Sequence, residues 1–158
     1  MAQIADRLGV GRSTLYRWVG DREALMDRVI DQTTITIARS VQGKVRGKGL
    51  ERTISAVTVY LNATTKYEPL RSLAQREPQL ALHVFMNPDG VFARNTREGL
   101  REQLRRDIPD LEIPDDVIEV LNMTHLALVW ASIAGGYEPH IERALSILRT
   151  VVTSHMQS

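Results

Sequence analysis

The sequence contains no cysteine, which excludes disulfides, thiolate nucleophiles and Cys-based zinc sites. No stretch approaches the roughly 20 apolar residues of a membrane span, and the N-terminus lacks the basic and apolar regions of a signal peptide. A cytoplasmic location without a membrane partner is therefore expected. No alternating strand with hairpin chemistry, internal repeat or low-complexity tract occurs. No Gly-rich loop stands in a βαβ context, so nucleotide binding has no support. There is no nucleophile elbow or paired-carboxylate pattern. His83, His125, His140 and His155 are widely separated and lack partners at i+3 or i+4, so no metal site is expected. These absences argue against an enzyme and against a cofactor.

At 43% hydrophobic and 25% charged residues, the 158-residue chain can bury a real core and has the make-up of an ordinary soluble protein. The net charge is +1, unevenly distributed. Residues 1–50 hold nine Lys/Arg against five Asp/Glu, while residues 51–158 hold eleven against fourteen. A basic module on a slightly acidic body suits an N-terminal contact with a polyanion, although so small a difference also arises by chance.

Helix signals dominate. A short helix is expected over 2–8, with Ile4, Ala5 and Leu8 on one side and Gly9 as a left-handed cap. A second follows at about 12–18. Asp21 caps a longer helix over 22–41, whose β-branched run Thr33–Ile37 is kept helical because its neighbours are. Gly43, Gly47 and Gly49, interleaved with Lys44, Arg46 and Lys48, form a flexible basic link. That link separates a first domain, 1–42, from a second, 50–158. Further helices are expected at about 50–66, 70–76 and 79–86, broken at Pro69, Pro78 and the turn Asn87-Pro88-Asp89-Gly90. Others cover about 91–107, 115–134 up to Gly135-Gly136, and 139–155. The fold class is all-α: an N-terminal helix-turn-helix module followed by a helical bundle.

The segment from Ala2 to Val19 carries the functional signal. Two short helices must pack steeply through a tight turn. Small Ala5 admits the second helix, Gly9 permits a positive φ, and Ile4, Leu8, Val10, Leu15 and Val19 make the apolar wedge. That leaves Arg12, Ser13, Thr14, Tyr16, Arg17 and Trp18 on the outer faces of the second helix, with donors, acceptors and aromatic surface that a major groove can use.

The string Ile-Ala-x-x-Leu-Gly-Val-x-x-x-Thr-Leu-Tyr-x-x-Val, followed by Arg22-Glu23-Ala24-Leu25, resembles the TetR family of repressors over about 30 residues. The remainder resembles that family in architecture, including TetR-like bundle length. The run Arg17 to Glu23 also resembles a subgroup of actinobacterial regulators linked to quorum-signal degradation. The resemblance implies that Arg12, Ser13, Thr14, Tyr16 and Trp18 contact operator bases or backbone. Arg22, where the family usually has lysine, is implied to contact phosphate. The family pattern also places a helix ahead of Ala2, so the apolar side of Ile4, Leu8 and Val19 is expected to lack a cover here. The resemblance implies a ligand-responsive regulator, a repressor released from palindromic double-stranded operator DNA by a small effector. The alternative is a small helical enzyme or interaction protein whose helix-turn-helix does not bind DNA.

Two further expectations concern the second domain. The helices at about 115–134 and 139–155 should form a homodimer interface. Ala127, Ala131 and Ala134 allow close approach on one, and Ile147 broadens the apolar stripe of the other. The effector should be small, largely apolar and uncharged, bound between about 50 and 134. That region has one lysine, Lys66, and its arginines cluster at 94–106 on a helix face expected to be solvated. Tyr60, His83, Phe85, Phe92, Asn122, His125 and Trp130 are the candidate ligand contacts. At helical spacing such aromatics are more often core than ligand wall, and His125 and Trp130 also read as dimer-interface residues.

Overall fold

A computed structural model describes residues 1–157. Helices α1 (Ala2–Leu8) and α2 (Arg12–Val19) form the N-terminal pair, and α3 (Arg22–Val41) runs on from it. After a short 3-10 turn (Gln42–Lys44) come α4 (Gly49–Lys66), α5 (Glu68–Arg76), α6 (Pro78–Met86) and α7 (Val91–Asp107). Helix α8 (Asp115–Ala134) and α9 (Ile141–Met156) complete the chain. No strand occurs among the described residues, and the all-α expectation holds.

The turn between α1 and α2 follows from its residues. Gly9 sits at φ 64°, ψ 28°. Its N–H donates to Asp6 O (3.2 Å), and the N–H of Val10 donates to Ala5 O (3.1 Å), which closes a Schellman cap. Gly20 adopts φ 77°, ψ −151°, a region that essentially only glycine tolerates. The Asp21 side chain then accepts from Ala24 N at 2.8 Å and starts α3.

The β-branched run of α3 is helical. The Thr34 hydroxyl donates back to Ile30 O and Asp31 O, both at 3.0 Å, so it is buried without an unpaired donor. Thr64 and Thr65 of α4 do the same toward Tyr60 O and Leu61 O. Pro69 and Pro78 fall inside helices rather than before them: Pro78 opens α6 and Pro69 lies in the first turn of α5. A first-turn proline gives up an N–H that has no intrahelical acceptor anyway.

Two apolar clusters hold the bundle. One joins Ile30 and Ile37 of α3 to Leu61, Leu70, Phe85, Phe92 and the second half of α8. The other joins Leu100 and Leu104 of α7 to Ile118, Leu121, Leu148 and Val152. Helix α8 takes part in both and is the central element. By length and composition it is apolar enough to cross a membrane, with mean hydropathy 1.5 over its richest window, closer to a span than the sequence pattern suggests. Here it is the core helix of a bundle, with Asn122 and His125 buried along it. Between Ala127 and Ala131 its turns widen to π geometry. Leu128 O in this stretch accepts from His140 N and from Ser132 Oγ, each at 2.9 Å, which ties the widened turn to the loop before α9.

Candidate functional site

The helix-turn-helix has a small core of its own, Ala5 and Leu15, apart from the two bundle clusters. The apolar side of the pair is only partly covered: Ile4 and Leu8 are exposed, while Val10 and Val19 are half-buried. Arg12, Ser13, Tyr16, Arg17 and Trp18 are exposed and Thr14 is half-buried. Tyr16 and Trp18, at 48% and 54% exposure, hold large aromatic surfaces in solvent. Gly11 begins α2 with no side-chain cap, so the first-turn N–H groups beside Arg12, Ser13 and Thr14 are not taken by a capping side chain. Arg28 of α3 donates to Trp18 O (3.4 Å), placing a cation at the C-terminal end of α2. Arg22 is exposed and stands 4.0 Å from Glu77, a surface pair loose enough to exchange for another anion.

A cavity of about 380 Å³ lies between α3, α4, α7 and α8. Tyr60, Phe92, Asn122, His125 and Trp130 all line it, so the structure brings together five of the seven candidate ligand residues. Two fall elsewhere. Helix α6 turns Ala81 and Phe85 inward, one turn apart, which leaves His83 on the opposite, exposed side. Phe85 is buried behind the cavity wall, 4.8 Å from the Phe92 ring and 4.4 Å from the Trp130 ring, and acts as backing. His125 and Trp130 are buried within the chain, which removes them as dimer-interface residues.

The structure adds a wall that the sequence reading placed outside the ligand region. Thr34, Ile35, Ala38 and Val41 of α3 line the cavity. Their signal was the run of small and β-branched residues at helical spacing. That run served only to decide helix against strand, and the side of the helix facing a void depends on packing. The mouth is also more polar than expected. Exposed Gln42, Glu98, Glu102 and Arg106 stand there, with Arg106 donating to Glu102 at 3.2 Å. Of the arginines of α7, Arg106 alone among the lining residues reaches the rim, and it is exposed.

The polar groups farther in are mostly engaged. Asn95 Nδ2 donates to Asp31 Oδ1 (2.9 Å) and Thr34 Oγ1 (2.8 Å), which links α7 to α3 along the cavity wall. Asn122 Nδ2 donates to Ala93 O (2.9 Å). His125 Nε2 lies 2.8 Å from Ala144 O of α9; a carbonyl can only accept, so Nε2 carries the proton. Burial pushes the His125 pKa down, against the opposing effect of that hydrogen bond, and favours the neutral ring. Burial alone pushes the Tyr60 phenol above its usual range. Among the described residues no group of three or more metal-ligating side chains occurs.

Residues 48–153 match the family model described as the tetracyclin repressor-like C-terminal domain. None of the curated proteins compared with the chain matches it. A solved structure, the transcriptional repressor QsdR from the TetR family of R. erythropolis, is similar at a TM-score of 0.82 and 27% identity. The alignment covers 96% of this chain and 83% of that one.

Proposed function

Because this chain belongs to the TetR family of regulators, we propose that it is a ligand-controlled repressor that binds operator DNA as a homodimer and is released by a small, largely apolar effector. The observation that carries this reading is a shared helix. Helix α3 lines the cavity with Thr34, Ile35, Ala38 and Val41, and the same helix carries the helix-turn-helix at its other end. A rigid rod of 20 residues spans about 30 Å. A ligand that displaces the cavity end of α3 therefore moves the reading helices.

In this mechanism α2 lies in the major groove, where Arg12, Ser13, Thr14, Tyr16, Arg17 and Trp18 supply base and backbone contacts and Arg22 holds a phosphate. Two copies pair through α8 and α9. The outer side of α8 presents Val120, Thr124, Ala127 and Ala131 at alternating spacings of three and four. Half-buried Ile147 and Val151 on α9 extend the same surface. The pairing sets the two heads about one DNA turn apart, roughly 34–36 Å, and an effector changes that distance. The likeness to QsdR, itself a transcriptional repressor, supports the repressor sign. A cytoplasmic location and a non-enzymatic role follow from the same reading.

The test is a mobility shift with double-stranded DNA from the region flanking the chain's own gene. Specific binding to a palindrome, lost on mutating either half-site, is expected. Binding equal to that of random DNA at every salt concentration would overturn the reading.

A further inference from the structure

We propose that Tyr60 is the polar anchor of the cavity and that the effector is a neutral aliphatic molecule presenting a hydrogen-bond acceptor, a carbonyl or ether oxygen, to its hydroxyl. This rests on the sensor reading above and specifies the chemistry that the cavity selects.

The inference follows from which polar groups are already committed. Away from the mouth, Thr34, Thr96, Asn95, Asn122 and His125 each donate a hydrogen bond to protein. Tyr60 makes none among the described residues, although it is half-buried and lines the cavity from α4. No polar side-chain atom among those residues is both sealed from solvent and without a partner. The Tyr60 hydroxyl is therefore open to solvent, on a residue that lines the cavity. A phenol partly withdrawn from bulk water and without a protein acceptor gains from a ligand oxygen that takes its proton.

The charges around the cavity exclude ionic ligands. The deep part offers no ready cation for a carboxylate or phosphate, since burial disfavours the charged form of His125 and Arg106 sits at the mouth paired with Glu102. Glu98 and Glu102 stand at the rim, and Glu98 accepts from Arg101, so no free carboxylate waits inside for an amine. The remaining wall is aliphatic and aromatic: Val57, Leu61, Leu126 and Trp130 among others. A volume of about 380 Å³ falls at the small end of the roughly 300–1,000 Å³ range of ligand sites. The class is thus a compact, uncharged, acceptor-bearing molecule. A purely hydrocarbon ligand would leave the Tyr60 hydroxyl unpaired, and an acid would be buried without a counter-charge.

The experiment is calorimetric titration of the full chain with 2-octanone, octane and octanoate, which share a chain length and differ in the terminal group. It is run on the natural protein and on Tyr60→Phe, with helicity checked by circular dichroism. The expected order for the natural protein is the ketone tightest and the acid weakest. Tyr60→Phe should weaken ketone binding about three- to ten-fold and leave octane unchanged. Equal binding of ketone and octane by the natural protein overturns the anchor, as does an acid that binds tightest. Those two outcomes need no variant. Binding of none of the three overturns the sensor reading itself, and the anchor with it.

Discussion

At the scale of single residues, exposure separates groups that hold the fold from groups available to a partner. Tyr16 and Trp18 keep about half of their surface in solvent, so truncating them removes little packing. We expect Tyr16→Ala and Trp18→Ala to weaken operator binding substantially while shifting thermal unfolding little; fluorescence anisotropy and a melting curve measure the two effects. Arg22→Ala should lower affinity for all sequences alike and reduce the salt slope by about one ion. An unchanged slope would remove Arg22 from the phosphate contacts. His125 makes a different prediction, because its burial depresses its pKa below 6.5. Between that lowered value and 6.5 the unfolded chain binds a proton that the folded chain refuses. The His125 contribution to stability is thus fully present above about pH 6.5 and is lost as the pH falls through the folded value. His125→Gln keeps a donor for Ala144 O and removes the titration. Its melting temperature should fall less between pH 7.5 and pH 5.5 than that of the natural protein; an equal fall would assign the pH dependence to other groups.

At the scale of elements, a few polar links set how the helices move together. Asp107, at the end of α7, has its side chain 1% exposed. It accepts from Thr53 Oγ1 (2.9 Å) and Gln103 Nε2 (2.7 Å), and it pairs with Arg52 Nε at 3.2 Å. This pins α7 to the start of α4 at the far end of the cavity from the aromatic trio. Asp107→Ala leaves Thr53 without its acceptor and the arginine without its partner. A buried pair broken on one side costs roughly 3–5 kcal/mol, but Arg52 is 38% exposed, so about 2–3 kcal/mol is expected. Urea unfolding measures it, and a loss under 1 kcal/mol would mean that solvent takes over both partners. The Asn95 bonds to Asp31 and Thr34 fasten α7 to α3 in the same way, on the cavity wall. Through this link a change at α7 reaches the helix that carries the head.

At the scale of the whole molecule, the head and the body meet through little more than α3. Ala5 and Leu15 belong to neither bundle cluster, whereas Ile30 and Ile37 lie in the main one. In the proposed mechanism, control of DNA binding therefore depends on a second copy to fix the distance between heads. Val120 is 65% exposed, so Val120→Arg should cost the single chain little. Together with Ala127→Arg, it should convert a micromolar dimer to monomer in sedimentation velocity and weaken operator binding with it. A dimer that survives both charges would place the pairing surface elsewhere.

The sequence by itself determined the elements and the reading helices. Gly9, Gly20 and Asp21 act within a few residues of themselves, through positive φ and a single cap, so their effects are legible locally. Helical periodicity likewise sufficed for the extents of α3, α7 and α8, and Pro69 and Pro78 were misplaced only by one or two residues. The cavity was a tertiary decision. Which side of α3 borders a void, why Phe85 backs the site while Phe92 lines it, and why His83 faces solvent all depend on how four helices cross. Periodicity gives each helix an apolar side, yet a filled core and an open pocket present the same stripe. Only the volumes that meet at the crossing distinguish them, and the same packing leaves the Tyr60 hydroxyl without a protein acceptor.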